Sequence, residues 1–285
     1  MSHPIASAAG AAPEVSWLSW SFEPAVILPV VVVGALYLHG WTTVSRRMPE
    51  RFGAGRRVAG VSGLAAVVLA LCSPLDALAH QLLVAHMVQH LLLMVIAPPL
   101  VWLGAPVAPM LLGLPRPVRR GVASVLAAPA VRRLTHALAD PRVAWIAFVV
   151  VLWAWHAPAL YDRALRSDGW HHVQHACFLA TGLLFWRPVI LAWPARLAWP
   201  RWAMIPYVAL AELQNSALAA ILTFSGRVLY PTYETVPRAW SVSPVEDQAI
   251  AGVIMWVPGS LPFLFAVLWL VLAAIRAPRP AYARS

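Results

Sequence analysis

The feature that most constrains this chain is a series of apolar runs, each long enough to cross the hydrocarbon core of a bilayer. A helix rises about 1.5 Å per residue, so about 20 residues cross a core of about 30 Å. Seven runs of roughly this length lie at 24–44, 57–75, 77–103, 142–158, 170–193, 202–224 and 248–275. Of the 285 residues, 61% are hydrophobic and only 11% are charged, which makes lipid the expected solvent. The sequence therefore predicts an all-α, polytopic bundle of about seven transmembrane helices.

The distribution of arginine predicts how this bundle is oriented. All 21 basic residues are arginine, and most of them lie in the segments that follow the first, third, fifth and seventh runs. The segments on the opposite side contain only Arg163, Arg166, Arg227 and Arg238. Because cytoplasmic loops are enriched in basic residues, we expect the N-terminus outside and the C-terminus in the cytoplasm.

The same reasoning divides the chain into one transmembrane domain and two tails. We expect residues 1–23 to be a flexible periplasmic tail, 24–275 the transmembrane domain, and 276–285 a cytoplasmic tail. Within the domain, the Pro- and Arg-rich stretch 104–141 is expected to be a cytoplasmic loop with one interfacial helix near 117–138.

Charge and motif content exclude several classes of function. The net charge is +10, but the arginines lie between apolar runs and not in one patch, which favours membrane topology over nucleic-acid binding. The two cysteines, Cys72 and Cys177, form no CxxC pair. The sequence has no Gly-rich phosphate loop and no nucleophile–base–acid constellation, so we predict that the chain is not an enzyme. We expect the lipid bilayer, and not nucleic acid, to surround and contact the chain.

Histidine and methionine cluster on one face of the third run. On a regular helix these residues fall within an arc of about 120°: His80, His86, Met87, His90 and Met94. His86 and His90 are four residues apart and can meet one ligand. Imidazole and thioether together suit a soft or borderline metal, copper above all. The alternatives are hydrogen bonding between helices for the histidines and core packing for the methionines.

Histidines on two other runs are expected on the same, outer side of the membrane. His171, His172 and His175 open the fifth run within an arc of about 100°, and His156 closes the fourth run. The alternative for His171 is an interfacial residue, and for His156 a hydrogen bond between helices.

Acidic, amide and thioether groups on the last two runs are candidate supporting residues. Asp247, Gln248 and Met255 share an arc of about 100° at the start of the last run. Glu212 lies in the middle of the sixth run, within AELQNSA, where a polar group is costly. It is either a buried, hydrogen-bonded acid or part of a proton path.

Four stretches of the sequence are specific as a set: HMVQHLLLMVIAPPLVWLGAP (86–106), WAWHAPALYD (153–162), HHVQHACFLATGLLFWRPV (171–189) and DQAIAGVIMWVPGS (247–260). Together they resemble the multi-span CtaG-type assembly factors of cytochrome c oxidase, over about 24–275. The resemblance implies a multi-pass protein of the bacterial inner (plasma) membrane that is needed to mature a haem–copper oxidase, with copper delivery as its role. It maps the motif histidines of the family onto His86, His90, His156, His172 and His175, and its acidic motif residue onto Asp247.

Residues and resemblance together predict a copper site. Its expected ligands are His86, His90, His156, His172, His175, Met87 and Met94. Its expected supporting residues are His80, His171, Asp247, Gln248, Met255 and Glu212. The expected partners are cytochrome c oxidase subunits and a periplasmic copper chaperone. The alternatives are a membrane transporter of copper or protons that uses Glu212 in a relay, a haem protein with axial histidines, and a scaffold without metal.

Overall fold

A computed structural model describes residues 16, 18–190, 199–238 and 240–276, and all regular structure in these residues is helical. Their α-helices, in chain order, are α1 (Pro24–Arg47), α2 (Ala54–Cys72), α3 (Pro74–Ala79), α4 (Leu83–Leu91), α5 (Ala97–Leu103), α6 (Val107–Gly113), α7 (Arg116–Ala127), α8 (Pro129–Ala139), α9 (Pro141–His156), α10 (Pro158–Leu165), α11 (Asp168–Ile190), α12 (Met204–Phe224), α13 (Thr232–Thr235) and α14 (Pro244–Arg276). A π-helix, Leu92–Ile96, joins α4 to α5, and a 3₁₀ turn, Arg201–Ala203, precedes α12. Most of the two predicted tails lies outside the described residues.

Five helical segments of the described residues are long and apolar enough to cross a membrane. They are Pro24–Arg47, Ala54–Cys72, Leu83–Leu103, Arg201–Phe224 and Pro244–Arg276. α8 and α9 provide a sixth if this pair, bent by 69°, is one span. α11 is 23 residues long, but its histidines and Arg187 lower its mean hydropathy. The predicted all-α, polytopic bundle is confirmed, and the five or six spans of the described residues, with α11 of similar length, come close to the seven predicted.

The third apolar run is broken, although the sequence predicted one continuous helix there. The chain forms α3, turns, and starts α4 at Leu83. At this point the Asp247 carboxylate of α14 accepts the Leu83 N–H at 2.8 Å and the Val84 N–H at 3.0 Å. A helix can begin here because the first N–H groups of a helix need acceptors from outside it. His80 consequently lies on a turn, and it does not share a helix face with His86.

A π-helix follows α4 where proline removes a backbone donor. Pro98 has no N–H, so the carbonyl of Met94, four residues earlier, lacks its usual helical partner. The indole N–H of Trp186 on α11 donates to this carbonyl at 3.2 Å. The π-helix and this hydrogen bond join α11 to the helical segment formed by α4 and α5, at a point one turn after His90.

The basic loop contains two surface helices where the sequence predicted one. α7 ends at Ala127 and α8 begins at Pro129, because the proline ring prevents α7 from continuing through this point. Neither helix has a buried residue, as expected of helices that lie at an interface. The preceding helix, α6, packs against α1, where Gly40 and Gly113 let the two backbones touch.

Glycines bring other helices into close contact. A methyl group added at Gly182 of α11 would lie 2.8 Å from the Met94 carbonyl oxygen, and one added at Gly252 of α14 would lie 2.7 Å from the Thr223 nitrogen. Apolar burial alone gives little drive for association in lipid, so close backbone approach at small residues is important. These contacts hold α11 against the π-helix and α14 against α12.

Candidate metal centre

Five histidine side chains from three helices meet near one end of the bundle. His86 and His90 are on α4, His156 ends α9, and His171 and His175 lie near the start of α11. All five are buried, with at most 5% of any of them exposed. Residues four apart lie on the same helix face, which explains why each pair on α4 and α11 points into the same space.

The imidazole rings are close enough to share an ion. The His86 ring centroid lies 4.4 Å from that of His90 and 5.0 Å from that of His171, and the His171 centroid is 4.1 Å from that of His175. His156 extends the cluster at 5.7 Å from His90. One ring nitrogen from each of His86, His171 and His175 lies within 4.8 Å of the other two. Metal–imidazole bonds are about 2 Å long, so nitrogens on one ion lie at most about 4 Å apart, which is close to the spacing of these three nitrogens.

The inner ring nitrogens of this cluster lack hydrogen-bond partners within the described residues. They are Nε2 of His86, His156, His171 and His175, and both ring nitrogens of His90. A buried polar atom without a partner costs about 1–3 kcal/mol, so a group of them indicates a ligand. Unprotonated imidazole nitrogens are satisfied by a cation, and the donor set therefore fits a metal ion.

Neighbouring groups fix the tautomers of two histidines. Tyr233 donates its hydroxyl hydrogen to the Ala79 carbonyl at 2.8 Å, so it can only accept from the His86 Nδ1, 3.2 Å away. The His156 Nδ1 lies 2.7 Å from the Leu152 carbonyl, which can only accept. Both rings therefore carry hydrogen on Nδ1 and present an unprotonated Nε2 to the cluster, as metal-binding histidines do.

Aromatic rings surround the histidines. The ring of Tyr161 lies 5.0 Å from that of His86 and stacks on Tyr230 at 4.0 Å. Phe178 lies 4.4 Å from His90. An apolar shell of this kind limits solvent access and lowers the local dielectric, both of which control the behaviour of a bound metal.

The structure places two predicted histidines outside this buried cluster. His172 lies about 100° around α11 from His171, is exposed, and has its Nε2 3.1 Å from the Glu23 carboxylate. His80 is exposed on the turn after α3, with its ring 5.3 Å from that of His171. His171, which the sequence predicted only as a supporting residue, lies in the cluster instead of His172.

The side chains of Asp247 and Gln248 form hydrogen bonds with the chain segments that surround the cluster. In addition to capping α4, the Asp247 carboxylate accepts from the Arg238 guanidinium at 3.2 Å. The Gln248 side-chain oxygen accepts the Leu229 N–H at 2.7 Å, and its amide donates to the Ser225 hydroxyl at 2.7 Å. These contacts hold α4 and the segment between α12 and α13, so both residues position the site from α14.

The remaining predicted residues lie in the interior of the bundle. Met87, Met94 and Met255 belong to the main apolar core. The Glu212 carboxylate accepts from the Ser216 hydroxyl at 2.8 Å and from Ser260. Both hydrogen bonds are made by Oε1, whereas Oε2 is buried without a partner among the described residues.

Sequence reasoning missed several polar residues near the cluster, among them Asp76, Tyr161 and Tyr233. Asp76 precedes His80 by four residues, a spacing that places both on one side of a helical turn and could have identified it. Tyr161 follows His156 closely in the sequence. Tyr233 is separated from His86 by 147 residues, so no local pattern connects them.

These features define a class of protein, a polytopic helical membrane protein with a buried histidine cluster near one end of its bundle. The sequence profile of the cytochrome c oxidase caa3 assembly factor family, Caa3_CtaG, matches residues 35–277. The chain therefore belongs to this family, as the resemblance of its histidine-rich stretches predicted.

Relatives of the chain include longer mycobacterial proteins, which are described as uncharacterized. Those of Mycobacterium bovis and Mycobacterium tuberculosis are each 28% identical over 266 residues, and that of Mycobacterium leprae is 26% identical over 267 residues. Each match covers 88% of this chain but only 39% of the relative. No solved structure matches the chain significantly.

Proposed function

We propose that this chain is a non-enzymatic assembly factor of the bacterial inner membrane that holds copper at its histidine cluster and delivers it to a haem–copper cytochrome c oxidase. Family membership supports the assembly role. The observation that carries the copper proposal is the buried group of His86, His171 and His175, whose ring nitrogens lie within 4.8 Å of one another. Copper is thus the ion that the protein carries and delivers, and not a resident cofactor.

The chemistry of the cluster favours copper over other abundant cations. Imidazole sites bind Cu²⁺ more tightly than the other first-row divalent ions. Three protein ligands leave coordination positions open, so an acceptor can take the ion by ligand exchange without any electron transfer. Bound imidazoles must be unprotonated, and copper retention should therefore decrease in acid.

The position of the cluster suits exchange with membrane partners. We expect the histidine end of the bundle to be in the outer half of the membrane, because the positive-inside rule keeps the arginine-rich segments in the cytoplasm. A periplasmic copper chaperone would supply the ion at this end. An oxidase subunit would receive it at similar depth within the bilayer.

Oxidase maturation in cells tests this proposal. We expect His86→Ala/His90→Ala to lower the copper content of the purified oxidase by about tenfold or more, while the variant chain stays in the membrane. His136→Ala is the matched control, because His136 is exposed on α8 in the basic segment. A fully copper-loaded oxidase in the double variant would refute copper delivery and favour a scaffold.

A further inference from the structure

A second group of potential ligands lies beside the buried cluster. One ligand atom each from Asp76, His80 and His171 lies within 4.8 Å of the other two. Asp76 is on α3 and His80 follows at its C-terminal end, so their four-residue spacing brings both side chains toward α11. His171 belongs to this group and to the buried group with His86 and His175.

The exposed fraction of the side chain decreases from His80 through Asp76 to His171. His80 is exposed, Asp76 is partly buried, and His171 is only 5% exposed. The His171 ring centroid lies 5.3 Å from that of His80 on one side and 5.0 Å from that of His86 on the other. His171 therefore connects a group that faces solvent with one that is closed to it.

The ligand atoms of this outer group are available. The Nε2 of His171 is buried and has no hydrogen-bond partner in the described part of the chain. The Gln89 amide donates to Oδ1 of Asp76 at 2.8 Å and to the Ala70 carbonyl at 2.7 Å. Gln89 thereby fixes the carboxylate, which has lone pairs left for a cation.

The surface around this group carries further negative charge. Glu23, at the start of α1, is more than half exposed and contacts His172 on the same end of the bundle. The chain as a whole has a net charge of +10, so carboxylates at this one end favour the local accumulation of cations.

We propose that Asp76, His80 and His171 form an outer loading site for Cu²⁺, from which His171 passes the ion to His86 and His175. The identity of the cargo rests on the proposed function. One carboxylate and two imidazoles suit a borderline divalent cation, and the all-imidazole inner site is the stronger one for copper. During transfer the bonds to Asp76 and His80 break as those to His86 and His175 form. The ion keeps its charge, and no electron moves.

Copper titration of the full-length, detergent-purified and chelator-treated protein tests the loading site. In the inner-site variant His86→Ala/His175→Ala, we expect CuSO₄ to give a Cu²⁺ electron paramagnetic resonance spectrum of mixed nitrogen and oxygen ligation. Adding His80→Ala or, as a substitution of similar volume, Asp76→Asn should abolish this spectrum. In an otherwise unchanged chain, either substitution should slow copper uptake about tenfold, a typical effect of losing a group that supports a metal site, whereas His136→Ala should not.

The outcomes separate this inference from the proposed function. The loading site alone would be overturned if the unmodified chain takes up copper, the inner-site variant binds none, and the His80→Ala variant loads at the normal rate. An unmodified chain that takes up no copper would overturn the proposed function as well.

Discussion

His171 and His172 are neighbours in the chain, yet their surroundings are opposite. His171 faces the rings of His86 and His175 in the buried cluster, whereas His172 faces Glu23 at the surface. The difference follows from the rotation of about 100° per residue in a helix. His175, one turn after His171, shares its face, so α11 contributes this pair and not the His172–His175 pair to the cluster.

Replacing the two neighbours one at a time tests this assignment. We expect His171→Ala to lower the copper retained per chain by about tenfold or more, because even residues outside the ligand shell have effects of that size. His172→Ala should leave it unchanged, since that ring contacts a surface carboxylate. Elemental analysis after gel filtration measures both. The reverse order of effects would contradict the assignment.

Tyr233, which lies outside the cluster, determines which ring nitrogen of His86 carries the hydrogen. Burial raises the pKa of the Tyr233 hydroxyl well above its usual value, so the hydroxyl stays protonated and donates to the Ala79 carbonyl. Its oxygen can then only accept from His86, which leaves the His86 Nε2 free for a cation.

Removing this hydroxyl should weaken copper binding without removing a ligand. We expect Tyr233→Phe to reduce affinity about tenfold, as other losses of a histidine's hydrogen-bond partner do. Tyr230→Phe is the matched control, because its hydroxyl donates to the backbone carbonyl of His156 and makes no hydrogen bond to an imidazole nitrogen among the described residues. Competition with a copper chelator measures both, and equal losses in the two variants would disprove the tautomer argument.

Local spacing predicted some members of the site and could not predict others. The pairs His86–His90 and His171–His175 are visible as repeats of four residues, and His156 as a polar residue at the end of an apolar run. Whether His171 or His172 faces inward depends on the rotation of α11 against α4, which Trp186 and Gly182 help to set through tertiary contacts. Sequence spacing alone contains no such information.

At the scale of helices, the break between α3 and α4 depends on one carboxylate. Asp247 lies on α14, 164 residues after Leu83, yet it accepts the first N–H groups of α4. Hydropathy and periodicity describe only neighbouring residues, so they predicted a continuous helix. The prolines at 98 and 99 were visible in the run, but the replacement donor, Trp186, was not.

Removing the cap should destabilise the elements that carry the site. We expect Asp247→Ala to lower the free energy of unfolding by about 3 kcal/mol, because it removes the carboxylate that pairs with the poorly exposed Arg238 and leaves two helix N–H groups uncapped. Glu246→Ala is the control, since the neighbouring acid is exposed and bonds only to Ser243 in the described structure. Thermal unfolding in detergent should show a much larger shift for Asp247→Ala, and equal shifts would contradict the capping role.

At the scale of the whole molecule, the apolar runs predicted the all-α, polytopic architecture. Five helices of the described residues, or six with the bent α8–α9 pair, are long and apolar enough to span, and they follow from the apolar runs because every backbone group within lipid must be bonded inside its own helix. The contact between Glu23 and His172 places the start of α1 at the histidine end of the bundle. The basic helices α7 and α8 follow spans that end at the opposite side.

Reporter fusions test the orientation that this arrangement implies. Since basic segments remain cytoplasmic, a reporter active only in the cytoplasm should work when fused after Ser124. A reporter active only in the periplasm should work when fused after Ser241, between α13 and α14. The opposite pattern would place the histidine cluster at the cytoplasmic face and would contradict delivery from outside.

The most direct test of the account is the metal content of the purified chain. We predict that wild-type protein, isolated in detergent, retains stoichiometric copper, and that His86→Ala/His90→Ala retains about a tenth of it or less while eluting at the same position. Equal copper in both proteins, or none in the wild type, would contradict the claim that these buried imidazoles converge on an ion.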